Sequence, residues 1–116
     1  MTDARPELTC DVNSDEQTTV VHIAGEIDIS TQELFDEAVH AGLDGPSPLV
    51  ILDLAEVTFL GSIGLRILIL AHNEAESAAR QLRIVEGSEA VKRVMAITGL
   101  AQILALYPTV EEARSA

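Results

Sequence analysis

The chain has a single cysteine, Cys10, no tryptophan, three other aromatic side chains (Phe35, Phe59 and Tyr107) and only seven basic residues among 116. Each shortage excludes something. One cysteine cannot close an intramolecular disulfide or supply a cysteine-based zinc cage, and Cys10 is expected to be a small buried strand residue. With so few aromatics, the core must be built from Leu, Ile, Val and Ala, which suits helices packed on a largely parallel sheet. Seven basic against nineteen acidic residues give a formal net charge of −12, which argues against nucleic acid as a partner. No apolar run is long. The most apolar segment, residues 63–71, contains Gly64 and Arg66 and is far short of the roughly 20 residues that span a bilayer. Membrane insertion is therefore not expected. The polar opening, residues 1–7, has none of the basic and apolar stretches of a secretory leader, so a cytoplasmic location is expected.

A chain of 116 residues that is 47% hydrophobic suits one domain spanning 1–116, with a core over about 8–112. Its charge is uneven. Residues 1–45 hold eleven acids and one base, Arg5, whereas residues 46–116 hold eight acids and six bases. An acidic face of this kind either keeps the surface solvated or steers a basic protein partner.

Hydrophobic periodicity gives the element order. Residues 7–12 alternate, with Leu8, Cys10 and Val12 on one side, as in a half-buried strand. The polar residues 13–17 read as a turn, and the β-branched run 18–25 as the second strand of an antiparallel hairpin. Ser30 with Glu33 has the spacing of a capping box, and Ile29 with Leu34 that of a hydrophobic staple. The helix after them puts Leu34, Phe35, Ala38, Val39 and Leu43 on one face and stops at 42–46. Residues 49–54 read as a central strand covered on both faces. A loop over 58–62 leads to a helix over 63–80. Residues 82–85 form a third core strand, Ser88 caps a helix that ends at Gly99, and residues 103–106 form a last short strand. Thr109 and Glu112 then open a terminal helix with a second capping box. This order predicts an α/β fold: a mostly parallel four- to five-stranded sheet with an antiparallel edge strand, packed by about four helices.

Catalytic groupings are scarce. His22, His40 and His72 lie on separate elements with neither the spacing of metal ligands nor a cysteine partner, and each reads as exposed or locally satisfied. Gly61 and Gly64 do not make a phosphate-cradling loop, which needs more glycine and a lysine at a fixed offset. The carboxylate pairs Glu26 with Asp28 and Glu111 with Glu112 have no histidine or metal ligand beside them. No metal or cofactor is expected, and the chain does not read as an enzyme. Ser62 stands out because it lies at the start of an apolar helix. It reads either as a plain N-cap worth about 1 kcal/mol or as a regulatory phosphoacceptor, since a phosphate there would meet the positive end of the helix dipole and free backbone N–H groups.

Three segments carry a resemblance that runs from about Leu8 to Glu112: Gly25-Glu26-Ile27-Asp28; the run from Leu52 through Gly61-Ser62-Ile63-Gly64-Leu65; and Val91 through Gly99-Leu100. In this order the chain resembles the STAS domains, and among them the bacterial anti-sigma factor antagonists. The resemblance implies that Ser62 is the phosphoacceptor. It also implies a partner-binding surface formed by Asp28, Gly61, Ser62, Ile63, Gly64 and Arg66. The implied partner is an anti-sigma factor with a GHKL-type kinase domain, which brings the ATP, binds the unphosphorylated protein and releases the phosphorylated one. A cognate phosphatase is expected with it, and the chain is expected to be a monomer that pairs with its partner. Gly61 stands where that family usually has an aspartate, and Ile63 where it has a second hydroxyl residue. A related role within the same fold stays open: an unphosphorylated STAS scaffold or regulatory subunit in a stress-signalling or lipid-transport ABC complex.

Overall fold

The β-branched residues of the second strand set the framework, because they pair on both sides. The computed structural model describes residues 8–116. β1 (Leu8–Ser14) and β2 (Thr18–Ile27) form an antiparallel hairpin, closed by Asp15, whose carboxylate accepts from the backbone N–H groups of Gln17 and Thr18 at 2.8 Å each. The chain continues through α1 (Gln32–Leu43), β3 (Leu49–Leu60), α2 (Ser62–Ser77), β4 (Gln81–Val85) and α3 (Glu89–Thr98). A 3-10 turn (Leu100–Gln102), β5 (Leu106–Tyr107) and α4 (Val110–Ser115) complete it. The five strands lie in sequence order, and every pair after the first is parallel, as strand–helix–strand crossovers require.

The alternation of side chains along β3 divides the core in two. Val50, Leu52 and Leu54 face the larger cluster with Phe35 and Val39 of α1, Leu68 and Ala71 of α2, and Val91 and Met95 of α3. Leu49 and Ile51 face the smaller cluster with Val20, Val85 and Ala113 of α4. β3 is thus covered on both faces over this stretch, as its near-continuous apolar sequence predicts. At the end where the strands begin, Thr19 donates to Ser47 at 2.9 Å, and Ser47 donates to the Asp15 carbonyl at 2.6 Å. This tie joins the hairpin turn to the α1–β3 connection.

Several expectations are corrected. Cys10 shares the core-side register of Ile23 but is exposed, because β1 is an edge strand and Leu8 alone among its residues is buried. Partial desolvation pushes its thiol pKa up, so the thiolate needed for redox chemistry is disfavoured. Ser30 does not cap α1. Thr31 is the cap residue, Ile29 is 81% exposed and Leu34 is also exposed, so no staple forms. β3 continues to Leu60 where the sequence predicts a loop from residue 58. α2 ends at Ser77, before Arg80, because Ala79 takes a left-handed conformation with φ 57°. Arg80 instead donates to the Leu43 carbonyl at the end of α1. The strand expected at 103–106 is displaced to Leu106–Tyr107 by the 3-10 turn after Gly99. The caps at Ser88 and Thr109 form as expected, accepting from the Val91 and Glu112 N–H groups.

His40 links two helices. Its Nδ1 lies 2.9 Å from the Asp36 carbonyl and its Nε2 lies 3.5 Å from Glu74 of α2. The bond to that carbonyl, with the charges of Asp36, Glu74 and Asp44, raises its pKa. A raised folded-state pKa stabilises fully below the unfolded value, and the gain is lost as pH rises through the folded one. His40→Gln should therefore lower Tm at about pH 5.5 and change it less at about pH 8.5, by circular dichroism melts. A second expectation concerns Gly64. A Cβ there would lie 2.6 Å from both Ile27 Cγ2 and Leu60 Cδ1, so Gly64→Val should cost about 1–3 kcal/mol in urea unfolding through overpacking.

Candidate functional site

The ends of β2 and β3 are where the chain departs from regular pairing. Ile27 and Leu60 are the last register partners, and the Gly61 N–H donates to the Ile27 carbonyl at 2.9 Å. That bond leaves no room for a loop: the chain turns straight into α2, and the Gly64 and Leu65 N–H groups donate back to the Gly61 carbonyl at 3.0 and 3.2 Å. Gly61, in an extended conformation with φ −86° and ψ 177°, is the N-cap. Ser62 is therefore the first residue of the helix and not its cap, because β3 runs on to Leu60 and uses up the residues a connecting loop would need. The Ser62 side chain is exposed. Gly64 is buried against Ile27 and Leu60 and seats the first turn of α2 on the strand ends.

The neighbouring loop is held by an aspartate. Asp28 Oδ1 accepts from Ser30 N–H at 2.9 Å, Ser30 Oγ at 2.7 Å and Thr31 N–H at 3.2 Å. Thr31, 1% exposed, donates to the Glu26 carbonyl at 2.8 Å and accepts from Asp28 N–H at 3.0 Å. The Ser30 hydroxyl, together with the backbone N–H groups of Ser30 and Thr31, holds the Asp28 carboxyl below the usual carboxylate range. A fixed negative charge thus stands next to the strand end from which Gly61 is hung.

The six residues singled out from the sequence gather at this end of the sheet. Ser62 and Arg66 are exposed, Ile63 and Asp28 are half-buried, Gly61 is the cap and Gly64 lies beneath. Ser62 and Arg66 are four residues apart, so they share a helix face. Two further residues belong with them. Phe59, 51% exposed, places its ring so that a Cβ on Gly61 would lie 3.2 Å from it. Ile29 projects from the Asp28 loop. The sequence pattern puts Ile29 in a staple and Phe59 in a loop, and so gives no sign that either is displayed. Large apolar side chains grouped in this way mark interaction surfaces more often than isolated ones do.

The titratable groups of the rest of the sheet and helices lie apart from this surface. His22 and Asp53, 2.8 Å apart, lie on another part of the sheet, along β2 and β3. His72 is near Glu76 on its own helix at 3.6 Å. Among the described residues no group of three His, Cys, Asp or Glu is placed to hold a metal, and no helix is long and apolar enough to cross a membrane.

The STAS domain family profile matches residues 9–113. The anti-sigma-F factor antagonist RsfB of Mycobacterium tuberculosis is 33% identical over 111 residues, covering 95% of this chain and 89% of that protein. RsfA, an anti-sigma-F factor antagonist of the same organism, is 30% identical over 115 residues, with 94% and 87% covered. The crystal structure of an anti-sigma factor antagonist from Mycobacterium paratuberculosis superposes with a TM-score of 0.85 at 33% identity, covering 93% of this chain and 92% of that one. The family profile, the identities and the superposition agree: the chain belongs to the STAS domain family.

Proposed function

We propose that this chain is an anti-sigma factor antagonist, a binding protein and not an enzyme, that works in the cytoplasm as a monomer. Its partner is an anti-sigma factor with a GHKL-type kinase domain, and Ser62 is the residue that partner phosphorylates. The observation that carries this reading is the exposed Ser62 at the first helical position, between Phe59 and Arg66 in the chain. The identity to the two mycobacterial antagonists supports it.

The physics of such a switch comes from the position. A phosphate on Ser62 adds a charge of about −1.5 to −2. The fold tolerates it, because it stands at the positive end of the α2 dipole and next to free N–H groups. A partner packed over Phe59, Ile29 and Ile63 would instead have to desolvate that charge, which is strongly unfavourable without a paired cation. Phosphorylation therefore leaves the domain folded and breaks the contact. A phosphatase that removes the phosphate restores binding. Gly61 and Ile63 put no charged side chain directly beside Ser62, which also suits a second reading, a constitutive scaffold that is never phosphorylated.

The two readings part in one experiment. Purified chain is mixed with the GHKL-type anti-sigma factor from its own organism and ATP, then subjected to mass spectrometry and calorimetry. Phosphate is expected on Ser62 alone. Ser62→Ala should bind like wild type, and Ser62→Glu, checked by its melting curve, should bind at least about tenfold more weakly, a loss of about 1.4 kcal/mol. Equal binding by all three forms, with no phosphate on Ser62, would establish the scaffold.

A further inference from the structure

The surface of α2 does not stop at Arg66. Ser62, Arg66, Leu70 and Glu74 are all exposed and succeed one another at four-residue steps, so they lie along one ridge of the helix. Beyond Arg66 the ridge borders a groove of about 280 Å³ between α1 and α2. Its floor is apolar: Val39 and Leu43 from α1, and Ile67 and Ala71 from α2. Leu70, 54% exposed, stands at its edge without a partner. Asp36 on one side and Glu74 on the other form an acidic rim, with His40 between them. α1 carries Glu33, Asp36 and Glu37 and has no lysine or arginine, and Asp44 caps its end.

The groove is open and lies between two helices, a shape suited to one or two anchoring side chains of a helix laid along it. An acidic rim around an apolar floor selects a cation on either side of that anchor and makes association sensitive to salt. We propose that the α1–α2 groove receives a short basic amphipathic helix of the protein partner, with an apolar side chain on Leu70 and Ile67 and flanking Lys or Arg on Asp36 and Glu74. This rests on the antagonist reading and extends its contact from the Ser62 turn along the Leu70 ridge. Binding there is independent of the charge at Ser62, so the groove supplies partner preference while the turn supplies the switch.

The test titrates the isotopically labelled full chain with a Leu/Lys amphipathic peptide of about four helical turns and with its Leu/Glu counterpart, monitoring backbone amide shifts. Saturable shifts are expected around His40, Leu70, Ala71 and Glu74 with the basic peptide only. They should weaken at least about tenfold in Leu70→Asp and several-fold in Asp36→Asn/Glu74→Gln, fade as salt is raised, and persist in Ser62→Glu. Leu70 is exposed, so the variant is expected to fold, and its melting curve verifies that. Equal binding of the acidic peptide, shifts located elsewhere, or no shifts would overturn the proposal. Calorimetry with the anti-sigma factor supplies the second arm. A loss of at least about tenfold in Leu70→Asp supports the groove as part of that contact, and undiminished binding overturns it. Absence of phosphate on Ser62 would defeat the switch while leaving both groove results readable.

Discussion

Everything at the Ser62 end of this domain depends on how closely α2 can approach the sheet. The hydrogen bond from Gly61 N–H to the Ile27 carbonyl fixes where β3 stops, and the missing side chain at Gly64 lets the first turn of α2 rest on Ile27 and Leu60. A side chain at position 64 would lift that turn off the strand ends. Ser62 is then displayed because Gly61 and Gly64 on either side of it are needed for contact with the sheet. The display of Ser62 and the packing constraint are one arrangement seen from outside and inside.

The Asp28 turn complements it. Its carboxylate is engaged by three donors from Ser30 and Thr31, so the charge is held in place with little further conformational freedom to lose on binding. Arg66 supplies the opposite charge one helical turn from Ser62. The surface at this end thus combines a pre-positioned carboxylate with two exposed apolar side chains, Ile29 and Phe59.

The element order, the antiparallel edge and the helix faces are readable in the sequence because they rest on periodicity and capping, which are local. Ser88, Gly99 and Thr109 behave as their sequence contexts predict. Local signals fail where tertiary packing overrides them. Thr31 is drawn to the Glu26 carbonyl and displaces Ser30 from the cap. Cys10 has the correct alternation for burial, yet an edge strand offers it cover on too few sides. Phe59 is hidden by a change of period: inward positions on β3 run Val50, Leu52 and Leu54, then Val57 and Leu60. Of the candidate site, the residue types and the position of Ser62 are readable, and its helical environment is not, since the length of β3 decides it.

That change of period has a source in the pairing with β2. Between His22 and Ala24, and again between Gly25 and Glu26, β3 advances by one residue more than its neighbour. Each surplus residue is a bulge that rotates the strand beyond it. The first brings Val57 inward in place of Glu56, and the second restores the original parity, so that Leu60 faces the core and Phe59 lies on the other side where the strand meets the Ser62 turn. The strand thus works as a vernier. A single residue added to or removed from β3 would undo that parity and change which side chain stands beside Ser62.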